Sequence, residues 1–355
     1  MASIDSDSFI DDLRDESDFK GISFSKCKRS DVKNVLLLNI SKGNIESACH
    51  WCAELICAGH FMDIWEIILF YLGKKIHLGN PKLVLYLESR YIIFESILEK
   101  KNYTSVIQLR NNATIRKLFA EIISILSQSK TKHSFETIKI DSADDFDVSY
   151  ISEHLKAPTT EYLKPIIKEG DPKGFFIAVN EFAYSITSHN MVGACFWIEW
   201  LIEFESHCKK KKDKQQCETR AYPVEAMFRR DPIWIIWDAI LYYGKQKSGF
   251  IQKTLVSLSN LFCIKYTTGC CKKRRYLLYF AVGLLIENVE INVDLATDKK
   301  IIQSVMSQID NVYRQIKINE ESAKMDYLYL NASPPENNKE NTYRKLEIMN
   351  SYFNL

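Results

Sequence analysis

The tightest grouping of reactive side chains in this sequence is Cys49-His-Trp-Cys52, followed by Cys57 and His60. Thiols and imidazoles at such spacing are the raw material of a zinc site or a dithiol redox pair. Zinc needs four ligands converging tetrahedrally, and a Cys-x-x-Cys pair usually meets that demand on a turn. Here the pair falls inside an apolar stretch of helical period, so buried thiols are expected, with no metal and no cofactor. The other cysteines, at 27, 195, 208, 217, 263, 270 and 271, are also mostly set in apolar runs. Cys208 and Cys217 bracket a lysine run and Cys270-Cys271 adjoins another basic run, but neither spacing is that of a finger. Irregular spacing is no disulfide framework, and it points to a reducing, intracellular compartment, cytoplasm or nucleus.

Acid–base chemistry would need paired carboxylates. Glu54, Glu66, Glu199 and Asp238 lie near tryptophans in apolar helical runs, where an uneven environment can split two pKa values. Such residues more often sit at the edge of a helix stripe and face solvent or an arginine. The chain has no Gly-x-Ser-x-Gly elbow, no His-Glu-x-x-His and no Gly-x-Gly-x-x-Gly. No catalytic residue is assigned, and an enzyme of unrecognised type stays as an alternative.

Basic runs carry the strongest remaining signal. Lys209, Lys210, Lys211, Lys212 and Lys214, with Arg220, form one; Arg229-Arg230 is a second; Lys272, Lys273, Arg274 and Arg275 form a third. Against a net charge of +2 for the whole chain these are local concentrations. Flexible lysines suit phosphate contact rather than base reading, so all of these except Arg220 are expected contacts to DNA or RNA backbone. The segment 207–231 is expected to project as a basic loop, too polar for the core.

Helices must position these residues. Gly and Pro number 12 and 8 in 355 residues, too few to supply the turns of a large all-β protein. Ser30-Asp31 opens a helix toward Lys42; Asn44–Ala58 forms a second, stopped at Gly59; Met62–Gly73 forms a third, again closed by glycine. Gly79-Asn80-Pro81 restarts the chain, and 82–99 and 103–128 supply two more helices. Residues 1–25 read as an acidic, flexible arm with no signal peptide, 129–158 as a polar linker, and 318–355 as a tail. The longest strongly apolar run, Tyr276–Ile286, would make roughly 16 Å of helix against a bilayer core of ~30 Å. It is too short to span, so no membrane role is expected.

Two segments recur in order. Asn44, Ala48, Cys49, Trp51, Leu55 and Ile56 match Asn190, Ala194, Cys195, Trp197, Leu201 and Ile202 at an offset of 146. Ile64-Trp-Glu-Ile-Ile-Leu-Phe-Tyr71 matches Ile236-Trp-Asp-Ala-Ile-Leu-Tyr-Tyr243 at an offset of 172, which leaves one insertion in the second copy, within 207–231. The expected fold is all-α: two helical-bundle modules, 26–128 and 159–317, from an internal duplication. Ala48 and Ala194 would allow close helix approach, and Trp51, Trp65, Trp197 and Trp237 would anchor the two cores.

The stretch Lys42–Leu87 resembles the C-terminal collar domain of replication-associated recombination ATPases, relatives of clamp loaders. The family's Ala-x-x-Trp-x-Ala-x-x-x-x-x-Gly has its counterparts in Ala48, Trp51, Ala53 and Gly59, and its Gly-x-x-(Asn/Asp)-Pro restart has a shortened one in Gly79-Asn80-Pro81. The resemblance covers under a third of the chain and implies a collar-like scaffold that oligomerises or meets a replication partner. Its motor is missing: there is no Gly-x-x-x-x-Gly-Lys-(Ser/Thr) loop, so no ATP hydrolysis is expected. The resulting expectation is a non-enzymatic scaffold of DNA replication or repair. A structural or packaging protein of a large DNA virus, found in the virion, is the alternative that the Lys-, Ile- and Asn-rich composition permits.

Overall fold

The computed structural model describes residues 6–100, 103–140, 146, 148–213 and 215–321. Among them the chain is all-α, with a single isolated bridge between Ile22 and Lys28 in place of any sheet. The first five helices are α1 (Arg29–Lys42), α2 (Ile45–Cys57), α3 (Phe61–Tyr71), α4 (Lys82–Glu99) and α5 (Ala113–Gln128). A short α6 (Val148–His154) precedes α7 (Phe176–Thr187), α8 (Met191–Lys210), α9 (Ile233–Gly244), α10 (Gly249–Phe262) and α11 (Cys270–Ile286). Then α12 (Lys299–Lys317) returns to pack on α5 and α2.

Residues Met1–Ile10 and Arg14–Glu320 make one compact unit. Asp11–Leu13 belong with Glu321–Leu355 to a second, in which the Leu13 N–H donates to the Glu321 carbonyl at 3.2 Å. The expected tail from 322 onward lies outside the described residues.

Local stops follow the chemistry of their residues. Gly43 and Gly59, both at positive φ, take the left-handed conformation that ends α1 and α2. Pro81 stands immediately before α4, where its missing N–H costs nothing. Gly73 is different. The third helix does not stop there but widens into a π-turn, Leu72–Ile76. A Cβ on Gly73 would lie 2.9 Å from the Tyr276 carbonyl carbon and 3.0 Å from the Leu277 nitrogen, so the glycine serves the close approach of α11.

Within the large unit, α1 packs on α2, α3 and α5, and α7 packs on α8, α9 and α11. The two hairpins are built alike. Gly43 N–H donates to Ile40 O (3.1 Å), Asn44 N–H to Asn39 O (3.0 Å) and Ala48 N–H to Asn44 O (2.9 Å). At the turn between α7 and α8, His189 donates to Ile186 (3.2 Å), Asn190 to Ser185 (2.8 Å) and Ala194 to Asn190 (3.0 Å). His189, also at positive φ, stands in the place of Gly43. Ala48 and Ala194 are fully buried, as are Trp65 and Trp237, while Trp51 and Trp197 are nearly so.

Two expected boundaries take another form. The arm is not loose between residues 14 and 25. Phe19 and Phe24 are fully buried, the Arg14 guanidinium lies 4.7 Å from both rings, and Glu54 accepts from Ser23 Oγ at 2.9 Å. Two apolar rings outweigh the acidic average of that stretch. The expected linker does not separate two bodies either. Residues 129–140 lie along the π-turn, where Lys132 N–H donates to Lys75 O (2.9 Å) and Phe135 N–H to Lys74 O (3.0 Å). Phe135 is buried against His77 and Tyr279. The modules meet directly, α4 on α10 and α3 on α11. The core is centred on α11, whose residues 276–285 are all buried; no described helix is long and apolar enough to cross a membrane.

Candidate functional site

The cysteine grouping lies in the core. Cys49, Cys52 and Cys57 are buried on α2. Burial pushes the Cys49 thiol up to about 12 and the Cys52 thiol well above the ordinary range. Such thiols stay protonated and are poor ligands or nucleophiles. Among the described residues no three His, Cys, Asp or Glu side chains are grouped to hold a metal.

Each candidate carboxylate has its own partner and none faces another. Glu199 accepts from Tyr279 Oη (2.8 Å) and Arg275 Nη1 (2.7 Å), and burial still raises its pKa. Asp238 accepts from Arg220 Nε and Tyr222 Oη, both at 2.9 Å. Arg220 also meets the buried Asp171, its Nη2 lying 2.6 Å from Oδ2. Glu66 is held by Arg274.

The expected phosphate contacts divide into three groups. Four are taken up in ion pairs with the protein's own carboxylates: Lys209 with Glu205 (2.6 Å), Lys272 with Glu203 (2.7 Å), Arg274 with Glu66 (2.5 Å) and Arg275 with Glu199 (2.7 Å). The Arg274 side chain is 1% exposed, so no phosphate reaches it. Cations in the first turns of α11 oppose the helix dipole, and these glutamates offset that cost.

A second group is exposed. Lys210 ends α8, Lys211 and Lys212 follow it, and no carboxylate among the described residues pairs with any of the three. Arg229 and Arg230 are exposed too, each with its Nε donating to a backbone carbonyl, of Val224 and Cys217. Lys214 lies outside the described residues. The insertion between these ends is not a free loop: Cys217, Arg220, Tyr222, Val224 and Asp231 are buried, and Cys217 and Arg220 pair by backbone with Arg230 and Arg229. The lysine run begins helical because Glu205 and Lys209 stand one turn apart on α8.

Third, Lys273 is exposed, has no carboxylate partner among the described residues, and lines a cleft between α1, α3 and α11. Lys33 and Phe70 share that cleft, and sequence reading missed both. Neither belongs to a run, and only the packing of α11 on α3 brings them to the basic cluster.

The pairs Glu199–Arg275 and Glu203–Lys272 show that α8 and α11 run antiparallel. The end of α8 therefore lies beside the start of α11. From Glu203 to Lys210 is about 10 Å of helix, so the exposed lysines and Lys272 share one end of the molecule.

Compared with known proteins, this chain matches no family model, no curated protein and no solved structure.

Proposed function

We propose that this protein is a helical scaffold that holds nucleic acid through its phosphates, at the end of the bundle where α8 stops and α11 starts. The observation that carries the reading is the exposure of Lys210, Lys211, Lys212, Arg229 and Arg230 with no carboxylate paired to them among the described residues. Ammonium groups on flexible stems neutralise phosphates without reading bases, so binding is sequence-independent and steeply salt-dependent. The two matched sequence segments and the resemblance of Lys42–Leu87 to a collar domain support a setting in DNA replication or repair, with oligomerisation or a replication protein as partner.

Fluorescence anisotropy with a labelled duplex at several salt concentrations tests it. Wild type binds at low salt, and Lys210→Ala/Lys211→Ala/Lys212→Ala flattens the log–log salt slope by up to about 3. Absence of binding by wild type at low salt overturns the proposal.

A further inference from the structure

The cleft between α1, α3 and α11 has a volume of about 460 Å³, within the range of small-ligand sites. Four cations line it, Lys33 from α1 with Lys272, Lys273 and Arg275 from α11, against one carboxylate, Glu66. Glu66 is already held by Arg274. Lys33 pairs with Asp63 at 3.0 Å and Lys272 with Glu203 at 2.7 Å. Neither pairing exhausts an ammonium's three donors, although Lys272 Nζ is close to both Glu203 oxygens. Lys273 has no such partner among the described residues. Arg275 is held by Glu199 at 2.7 Å, so the uncompensated charge on this wall is the Lys273 ammonium, with donors left over on its paired lysine neighbours.

The remaining wall is aromatic and hydroxylic. Phe70 and Tyr276 meet edge to face with centroids 5.7 Å apart, and Phe70 is only half-buried. Lys74 Nζ stands over both rings, 5.1 Å from the Tyr276 centre and 5.8 Å from that of Phe70. The Tyr276 hydroxyl is 2.7 Å from Thr137 Oγ1 at the mouth, and Asn34 is exposed on the rim. Lys33 and Lys273 for a phosphate, the half-buried Phe70 ring for a planar base, and amide and hydroxyl groups for a sugar line one space.

We propose that this cleft binds a nucleoside monophosphate, with the phosphate on Lys33 and Lys273 and the base against Phe70. The shared chemistry is a phosphomonoester on a nucleoside, which a free nucleotide or the phosphorylated end of a strand both present. The site is separate from Lys210, Lys211 and Lys212 and does not rest on the reading above.

Isothermal titration of the full chain with AMP, adenosine, inorganic phosphate, and 5′-phosphorylated and 5′-hydroxyl oligonucleotides tests this. AMP binds, adenosine does not, and inorganic phosphate binds at least tenfold more weakly than AMP. Lys273→Glu weakens AMP at least tenfold, and Phe70→Ala weakens AMP but not inorganic phosphate, with melting curves confirming that both variants fold. Competition of AMP by the 5′-phosphorylated strand alone assigns the strand end; no competition assigns the free nucleotide. Failure of AMP to bind, or a folded Lys273→Glu that binds like wild type, overturns the site, and phosphate binding as tightly as AMP overturns the nucleotide. Lys210→Ala/Lys211→Ala/Lys212→Ala retains AMP binding while weakening duplex binding and flattening its salt slope, which separates failure of this site from failure of the scaffold reading.

Discussion

Arg274 and Glu66 are 208 positions apart in the chain, yet Arg274 Nη2 lies 2.5 Å from Glu66 Oε1 and Nη1 donates to the Phe262 carbonyl at 2.6 Å. One guanidinium thus ties α11 to α3 of the first module and to the end of α10 in the second. The pair stands one residue from Trp65, the fully buried anchor of α3, and one from Lys273 on the cleft wall. The same short stretch of α11 therefore serves both the core and the basic surface.

Removing that guanidinium leaves Glu66 and the Phe262 carbonyl without their donor in a largely buried place. Arg274→Ala is expected to cost about 3–5 kcal/mol, the range for breaking one side of a buried pair. Chemical denaturation measures it. A loss below about 1 kcal/mol would mean that the pair is solvated and Arg274 available to ligands.

Gly73→Ala has opposite expectations on propensity and on packing. Alanine favours helix over glycine by about 1 kcal/mol. The added Cβ, however, would meet backbone of Tyr276 and Leu277 at 2.9 and 3.0 Å, and backbone cannot rotate aside. Overpacking of this kind costs about 1–3 kcal/mol, so a lowered melting temperature is expected. An unchanged or raised one would show that α11 shifts freely against α3.

How much of this was legible follows from the range of each interaction. The helices, the glycine stop at Gly59 and the restart at Pro81 depend on residues within a turn or two, and the hydrophobic period displays them. Gly73 looks like another stop because its reason, the backbone of Tyr276, is far along the chain. The N-terminal stretch up to Ser25 reads as an arm because its many acids conceal Phe19 and Phe24, two rings that contribute more than the average charge suggests. Arg274 and Arg275 read as phosphate contacts because Glu66 and Glu199 are not local to them. The cleft was illegible for the same reason, its wall being drawn from α1 and α3 on one side and from α11 and Thr137, far along the chain, on the other.

Trp65 and Trp237 occupy matched places, α3 and α9, and both are fully buried with no hydrogen-bond partner for the indole N–H among the described residues. Trp65 packs on Phe94 and Phe119 at 5.9 and 5.8 Å, and Trp237 on Phe262 at 5.4 Å. Truncating either to alanine is expected to cost about 3–5 kcal/mol. Trp→Phe at either site should cost less, because it also removes an unpaired donor from an apolar place. Equal losses for Phe and Ala in denaturant titrations would mean that the indole N–H has a partner, such as a buried water.

His77 makes stability fall in mild acid. It follows the π-turn at positive φ, is fully buried, and stacks on Phe135 at 4.2 Å. Its Nε2 lies 2.6 Å from the His133 carbonyl and so carries the proton, which leaves Nδ1 without a partner among the described residues. Burial lowers its pKa to about 4 against the hydrogen bond to the His133 carbonyl, which favours the protonated ring; the neighbouring His133 and Lys132 lower it less, and Glu287 opposes them. An unfolded chain protonates this imidazole near pH 6.5, whereas the folded one resists until about 4. The unfolded state thus binds more protons between those values, so the contribution is fully present above about pH 6.5 and is lost as pH falls toward about 4, roughly 3 kcal/mol in all. His77→Gln keeps a donor for the His133 carbonyl and cannot take the charge. Its unfolding free energy should fall less steeply than wild type between about pH 6.5 and 4.5, and parallel curves would show that His77 does not titrate with folding.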